Sequence, residues 1–121
     1  MELSICTYNV NSINQRLPHL LLWLEQDNPD IVCLQELKTI SENFPISAFD
    51  HLGYNFAISG QKSYNGVAIL SKFPLEDVEI GFPEAPDPTH ARLISATICP
   101  APKLAIRVIS VYVPNGQEVG S

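Results

Sequence analysis

The sequence predicts an α/β domain built on a mixed sheet, and three stretches near its start carry that expectation. Leu3 to Val10 alternates with the period of two that marks a strand and ends in the polar run Asn9-Val10-Asn11-Ser12. Leu17, Leu20, Leu21 and Leu24 fall at helical spacing, with Pro18 near the start of the helix, where a missing N–H costs least. Ile31-Val32-Cys33-Leu34 is a short unbroken apolar run, as expected of a strand covered on both faces. Strand, helix and strand in this order read as a right-handed βαβ unit with parallel strands. The helix should stop around Asp27 or Asn28, because Pro29 disfavours a helical residue before it.

The later portion changes character. A short helix is expected from Pro45 to Leu52, closed by Gly53. Tyr54 to Ser59, Gly66 to Ser71, Glu76 to Ile80, Arg92 to Ile98 and Leu104 to Val113 are strand-like. Cys99-Pro100-Ala101-Pro102-Lys103 is short enough to join the last two as a hairpin. There is no internal repeat and no low-complexity segment. A parallel unit continued by antiparallel strands gives the mixed sheet.

Composition bounds the function. With 45% hydrophobic and 17% charged residues, the 121-residue chain should form a packed core rather than a disordered segment. No stretch approaches the roughly 20 apolar residues that span a bilayer, and Leu20 to Leu24 follows no basic leader, so neither a membrane span nor a signal peptide is expected. Cys6, Cys33 and Cys99 are odd in number and lie in apolar strands, which points to buried free thiols in a reducing compartment and a cytoplasmic location. A nucleoid or nuclear location fits equally. Net charge is −6, and that argues against sequence-blind electrostatic binding of nucleic acid. An enzyme that gathers its few cations at one site and adds a divalent metal escapes that argument.

Candidate chemistry gathers at strand ends. In open α/β sheets, ligands collect beyond the carboxyl ends of the parallel strands. Asn9 and Asn11 close the first strand and Gln35-Glu36 closes the second, so parallel pairing would bring them to one edge. A carboxylate directly after a buried strand carries a charge that is costly when unpaired. A hard divalent cation relieves that cost, and Mg²⁺ commonly takes one or two carboxylates plus water. Pairing of Glu36 with Lys38 is the structural alternative. Asn9 and Asn11 could bind a metal or contact phosphate oxygens, or could simply form the turn into the helix. Tyr64-Asn65-Gly66 and Asn115-Gly116 read first as turns, and Tyr112 could be a core aromatic. Arg92 could clamp a phosphate or pair with Asp87. His19, His51 and His90 lack metal-ligand spacing and partners and are read as solvated.

Five segments, in order, carry a resemblance that covers essentially the whole chain. They are Tyr8-Asn9-Val10-Asn11-Ser12, Pro29-Asp30-Ile31-Val32-Cys33-Leu34-Gln35-Glu36-Leu37-Lys38, Tyr64-Asn65-Gly66-Val67-Ala68-Ile69-Leu70-Ser71, His90-Ala91-Arg92 and Val111-Tyr112-Val113-Pro114-Asn115-Gly116. Together they closely resemble the exonuclease III family, which includes the abasic-site endonucleases and lies within the endonuclease/exonuclease/phosphatase superfamily. The Leu-Gln-Glu element is shared across the superfamily, whereas the Asn-x-Asn opening and the Tyr-x-Pro-Asn element narrow it to this branch. Leu37 stands where family members often carry threonine, and Asn14 where a basic residue is frequent, although Arg16 is retained.

The resemblance implies roles. Glu36 would be the principal Mg²⁺ ligand (Mn²⁺ could substitute), with Asn9 beside it and Asn11 in the same polar cluster near Lys38. Tyr112 would hydrogen-bond the scissile phosphate, while Arg92 and Asn115 would shape the DNA-facing edge. The implied activity is hydrolysis of DNA phosphodiesters at abasic sites and 3′ ends in double-stranded DNA. A non-catalytic nucleic-acid-binding or regulatory protein on the same scaffold is the alternative. A superfamily phosphatase acting on inositol phosphates or lipids is a third, which the two narrowing elements oppose.

Family members are considerably longer, and their second half supplies an aspartate-asparagine pair, a further aspartate and a terminal Asp-His pair that handle the attacking water and leaving oxygen. Residues 1–121 are therefore expected to be the amino-terminal portion of the domain, truncated before its second half, with the metal ligand present but inactive alone. The family fold is a four-layer sandwich, two sheets face to face with helices outside. This chain is expected to supply one half of it, mainly one sheet, whose exposed apolar face would favour self-association.

Overall fold

The computed structural model describes residues 2–81 and 91–113. Its elements are β1 (Ile5–Asn9), α1 (Ile13–Asp27), β2 (Ile31–Gln35), two 3-10 segments (Ser41–Asn43 and Ile46–Leu52), β3 (Asn55–Ser59), β4 (Val67–Ser71), β5 (Glu76–Ile80), β6 (Leu93–Ala101) and β7 (Leu104–Val111). The first sheet runs in the order β1-β2-β4-β3, with β1 parallel to β2 and the other neighbours antiparallel. That is the expected mixed sheet, opened by the expected βαβ unit. β5, β6 and β7 form a separate antiparallel sheet in that order. The expectation of mainly one sheet is therefore corrected.

The two sheets exist because β2 and β4 must bury both faces. Val32 and Leu34 of β2 and Ala68 and Leu70 of β4 pack toward α1 and the second 3-10 segment, together with Leu20, Leu24, Phe49 and Leu52. Ile31, Cys33, Val67 and Ile69 face the other way and meet Ile94, Ala96, Ile98 and Val108 of the second sheet. One residue-by-residue alternation thus serves two cores. Most strand apolar side chains left in water lie elsewhere: Val78, Ile80, Leu104, Ile109 and Val111 are exposed and belong to β5 or β7, while β1 leaves Ile5 exposed.

Some local expectations shift. α1 begins at Ile13, so Pro18 lies inside it rather than in its first turn. Pro18 and Asn14 are both exposed, and water can serve the Asn14 carbonyl that loses its helical donor. Ser12 caps the start by accepting from the Gln15 N–H at 3.4 Å, and Asn28 closes the end in the left-handed region (φ 47°) just before Pro29. The segment read as a short helix is 3-10, over Ile46–Leu52, and Gly53 ends it at φ 77°. β6 continues through Cys99 and Pro100 to Ala101, with the turn left to Pro102 and Lys103. The proline is tolerated because pairing with β5 reaches only as far as Thr97. All three cysteines are free, but only Cys33 is buried, whereas Cys6 is half-buried and Cys99 is exposed. His51 is not unpartnered: its ring nitrogen lies 2.7 Å from a Glu25 carboxylate oxygen.

Tyr54 ties this frame together at the end away from Asn9 and Glu36. Its buried hydroxyl donates to the Pro29 carbonyl at 2.6 Å, and burial, aided by Asp30, pushes its phenol up to about 12 from 10. Burial likewise pushes the Cys33 thiol up to about 11 from 9. A folded chain that holds protons longer than the unfolded one loses stability as pH rises between the two values. Urea midpoints are expected to fall from about pH 9 toward pH 12, and Tyr54→Phe should remove the Tyr54 share, between about pH 10 and 12, leaving the Cys33 share between about pH 9 and 11. A pH-independent midpoint in the parent chain would contradict the assignment.

Candidate active site

Five strand ends meet at one edge. Asn9 at the end of β1 lies opposite Gln35 at the end of β2, and Gln35 in turn lies opposite Val67 at the start of β4. Backbone hydrogen bonds then carry the connection past the strands. Val10, Ser12 and Ile13 donate to the carbonyls of Gln35, Glu36 and Leu37, and Leu37 and Lys38 donate to those of Gly66 and Asn65. The second sheet joins through the Gly66 N–H, which donates to the Ala91 carbonyl at 2.7 Å, and its own β6–β7 pairing continues one step to this edge where the Tyr112 N–H donates to the Arg92 carbonyl at 2.8 Å.

The stitched loops are conformationally unusual. Asn11, Ser12, Glu36, Lys38, Ser63 and Asn65 all have positive φ, between 44° and 85°. Such residues are uncommon outside glycine and cluster where a surrounding framework holds a functional site. Leu37, sandwiched between Glu36 and Lys38, is completely buried in the helix-side core. An apolar residue fits that place.

The side chains predicted to form a cluster do so. The Asn9 amide nitrogen donates to Glu36 Oε1 at 2.8 Å, and its oxygen accepts the Asn11 backbone N–H at 3.0 Å. Lys38 Nζ donates to Asn11 Oδ1 at 2.6 Å and stands 3.8 Å from Glu36 Oε2. The strand does not persist to Asn11. A left-handed turn, rather than strand periodicity, brings Asn11 beside Asn9. The Glu36 side chain keeps 22% of its exposure, so the carboxylate is steadied on one oxygen and reachable from solvent on the other. Tyr112 approaches from the second sheet. Its phenol is raised by desolvation first and then by the Glu36 charge, while Arg92 pulls it down, so the three groups share one electrostatic environment. Asn115 lies outside the described residues, as do His90 and Asp87.

Sequence reasoning missed several residues at this edge. Gln61 Oε1 accepts from both the Asn65 amide and the Ala91 N–H at 2.9 Å, which fixes the Asn65-Gly66 turn against the start of β6. A hollow of about 410 Å³ next to Lys38 is lined by Thr39, Ile40, Asn43, Lys62 and Ser63. None of these carries a local signal, since a single Gln or Lys in a loop has no period or spacing to mark it. Gln35, read from the sequence only as a polar strand end, also bridges the sheets.

The endonuclease/exonuclease/phosphatase family model matches residues 6–115, a span that includes every motif described above except Gly116, the last residue of the fifth. The chain belongs to this family. Within it, the resemblance to the exonuclease III branch is borne out by named relatives. Exodeoxyribonuclease III of Haemophilus influenzae is 33% identical over 112 residues, covering 93% of this chain and 42% of that protein. The structure of a Neisseria 3′ phosphatase bound to a product DNA hairpin matches at TM-score 0.87 and 44% identity, covering 96% of this chain and 43% of that one. An AP endonuclease from Archaeoglobus fulgidus matches at TM-score 0.86 and 43% identity, covering 99% and 44%. The chain thus spans about two fifths of the length of these family members.

Two outcomes test the geometry. A methyl on Gly66 would lie 2.8 Å from the Leu37 Cβ, at a φ of +93° that side chains rarely adopt. Gly66→Ala should cost roughly 1–3 kcal/mol in urea unfolding, with chemical-shift changes concentrated at Leu37 and Lys38. In a pH titration followed by NMR of labelled tyrosine rings, Glu36→Gln should lower the Tyr112 phenol pKa and Arg92→Ala should raise it. No response to either change would separate Tyr112 from the cluster.

Proposed function

We propose that this chain carries the metal-binding and phosphate-facing part of a divalent-metal-dependent DNA phosphodiesterase acting at abasic sites and 3′ ends. The carrying observation is the Glu36 carboxylate at the end of a buried strand, held by Asn9 and flanked by Lys38, with Tyr112 close enough to feel its charge. The relatives named for exonuclease and AP endonuclease activity, and the one solved with a DNA hairpin, support the substrate class.

The donor set suits Mg²⁺. Among the described residues, no three of His, Cys, Asp and Glu come together, so the soft or multi-carboxylate sites of other metals are not on offer. A single carboxylate reachable by water matches the Mg²⁺ habit of keeping most of its hydration shell. Glu36 would be the principal ligand, with Asn9 beside it. When bound, the cation supplies positive charge to a phosphate oxygen. Asn9 orients the Glu36 carboxylate, and Lys38 balances it and presents Asn11. The Tyr112 hydroxyl, kept protonated well above neutrality, donates to the phosphate as its charge grows. The family resemblance gives Arg92 and Asn115 the role of shaping the DNA-facing edge.

No described group at this edge is placed to activate water, so the 121-residue chain should bind metal without cutting. The test is incision of a duplex bearing one abasic site, with Mg²⁺ and then with EDTA, alongside Mn²⁺ binding followed by EPR. Glu36→Gln should weaken Mn²⁺ binding about tenfold or more, and Asn9→Ala by about 10–100-fold, the range for groups that orient a ligand. Mg²⁺-dependent cutting would overturn the claim of an incomplete site. Undetectable metal binding would favour the alternative, a non-catalytic binding protein on the same scaffold, to which the net charge of −6 also lends support.

Self-association is part of the proposal, relocated by the fold. β2 and β4 are covered on both faces, whereas β5 and β7 leave Val78, Ile80, Leu104, Ile109 and Val111 in water, and Ile5 of β1 joins Ile109 and Val111 around one open hollow. Analytical ultracentrifugation at micromolar concentration should therefore find species larger than a monomer. A compact monomer would contradict it.

A further inference from the structure

Gln35 ends β2 with its side chain in the layer between the sheets, 8% exposed, among the apolar residues of the inter-sheet core. An amide in such a layer is costly unless its groups are bonded. Here they are. Gln35 Oε1 accepts from Thr7 Oγ1 at 3.1 Å, and Gln35 Nε2 donates to Ser110 Oγ at 3.3 Å. Ser110, with no exposed surface, donates in turn to the Leu34 carbonyl at 3.0 Å. The circuit joins β1, β2 and β7, and it leaves no described buried side-chain polar atom unpaired.

Its position gives it a use. Gln35 directly precedes Glu36, and Ser110 stands two residues before Tyr112, so the bridge lies immediately behind both members of the site. Elsewhere the contact between the sheets is chiefly Ile, Val and Ala, whose attraction is non-directional and tolerates sliding. Other polar links run from the Cys33 thiol to the Ile109 carbonyl at 3.9 Å and, at the loop edge, from the Gly66 N–H to the Ala91 carbonyl. Hydrogen bonds impose distance and angle. A displacement of about 1 Å between reacting groups costs an enzyme on the order of a hundredfold. We infer that Gln35 and Ser110 are positioning residues, an inter-sheet clamp that holds Tyr112 at its working distance from Glu36. Its catalytic meaning rests on the function proposed above, but the clamp itself is a statement about geometry.

The test compares Ser110→Thr with Ser110→Val, which have nearly the same shape and differ in the hydroxyl, with Gln35→Met as a second way to remove the bridge. Backbone residual dipolar couplings of the metal-free 121-residue chain report how β7 lies on β2. Broadening of the Tyr112 ring by Mn²⁺ at Glu36, compared at equal occupancy, reports the distance that matters. Ser110→Thr should match the parent in both. Ser110→Val and Gln35→Met should change the β7 couplings and roughly halve the broadening, the size expected for a shift of about 1 Å under a sixth-power distance dependence. Unchanged couplings in the folded Val and Met variants would overturn the clamp, as would changed couplings with unchanged broadening. Failure of both variants to fold while the Thr variant folds would also overturn it, leaving a folding determinant. If the parent chain binds no Mn²⁺, the functional reading fails while the couplings still decide the inference.

Discussion

The backbone ladder beyond the end of β2 is the constraint from which the site follows. Ser12 and Ile13 on one side and Asn65 and Gly66 on the other are hydrogen-bonded to Glu36, Leu37 and Lys38. Buried amides must be paired, and these are paired with one another rather than within regular sheet. The arrangement holds several residues in the left-handed region at once, each at a cost of roughly 1–3 kcal/mol. Leu37 offsets part of that by anchoring the segment in the helix-side core. With Leu37 fixed inward, Glu36 and Lys38 remain at the surface on either side of it, where Asn9 and Asn11 meet them.

The two sheets divide the work. The first contributes the carboxylate cluster through β1 and β2, and the second delivers Tyr112 and Arg92 through β7 and β6. The layer between them is mainly apolar for cohesion, with polar links where Gln35 meets Ser110, Thr7 and Leu34 and where the Cys33 thiol meets the Ile109 carbonyl. Such a division explains how an acidic chain can present a locally cationic edge. Lys38, Lys62 and Arg92 stand near the site, whereas Glu25 and Asp27 occupy the far end of α1 and Glu76, Asp77 and Glu79 line β5. Net charge describes the mean field, and a substrate meets the local one.

Parts of this were legible because they are encoded between near neighbours. The alternation of β1, the leucine spacing of α1 and the unbroken run of β2 each specify an element within a few residues. Parallel pairing of β1 with β2 then brings Asn9 and Glu36 together by topology alone. The spans of β3 through β7 were readable to within a few residues for the same reason. The start of α1 and the length of β6 were not, because capping by Ser12 and the reach of the β5 partner set them.

By itself, then, the sequence determined the order of the elements, the strands among them, and the strand-end placement of Asn9 and Glu36. Tertiary structure alone decided that β5, β6 and β7 leave the first sheet to form a second, since period-two alternation is the same in either. It also decided that Asn11 reaches Lys38 through a left-handed turn, that Cys99 faces water, and that Gln35 is buried and bonded across to Ser110. The physical reason is range: Gln35 finds Ser110 across 75 residues of chain. Periodicity records what each residue needs, and only the packed fold supplies the partner.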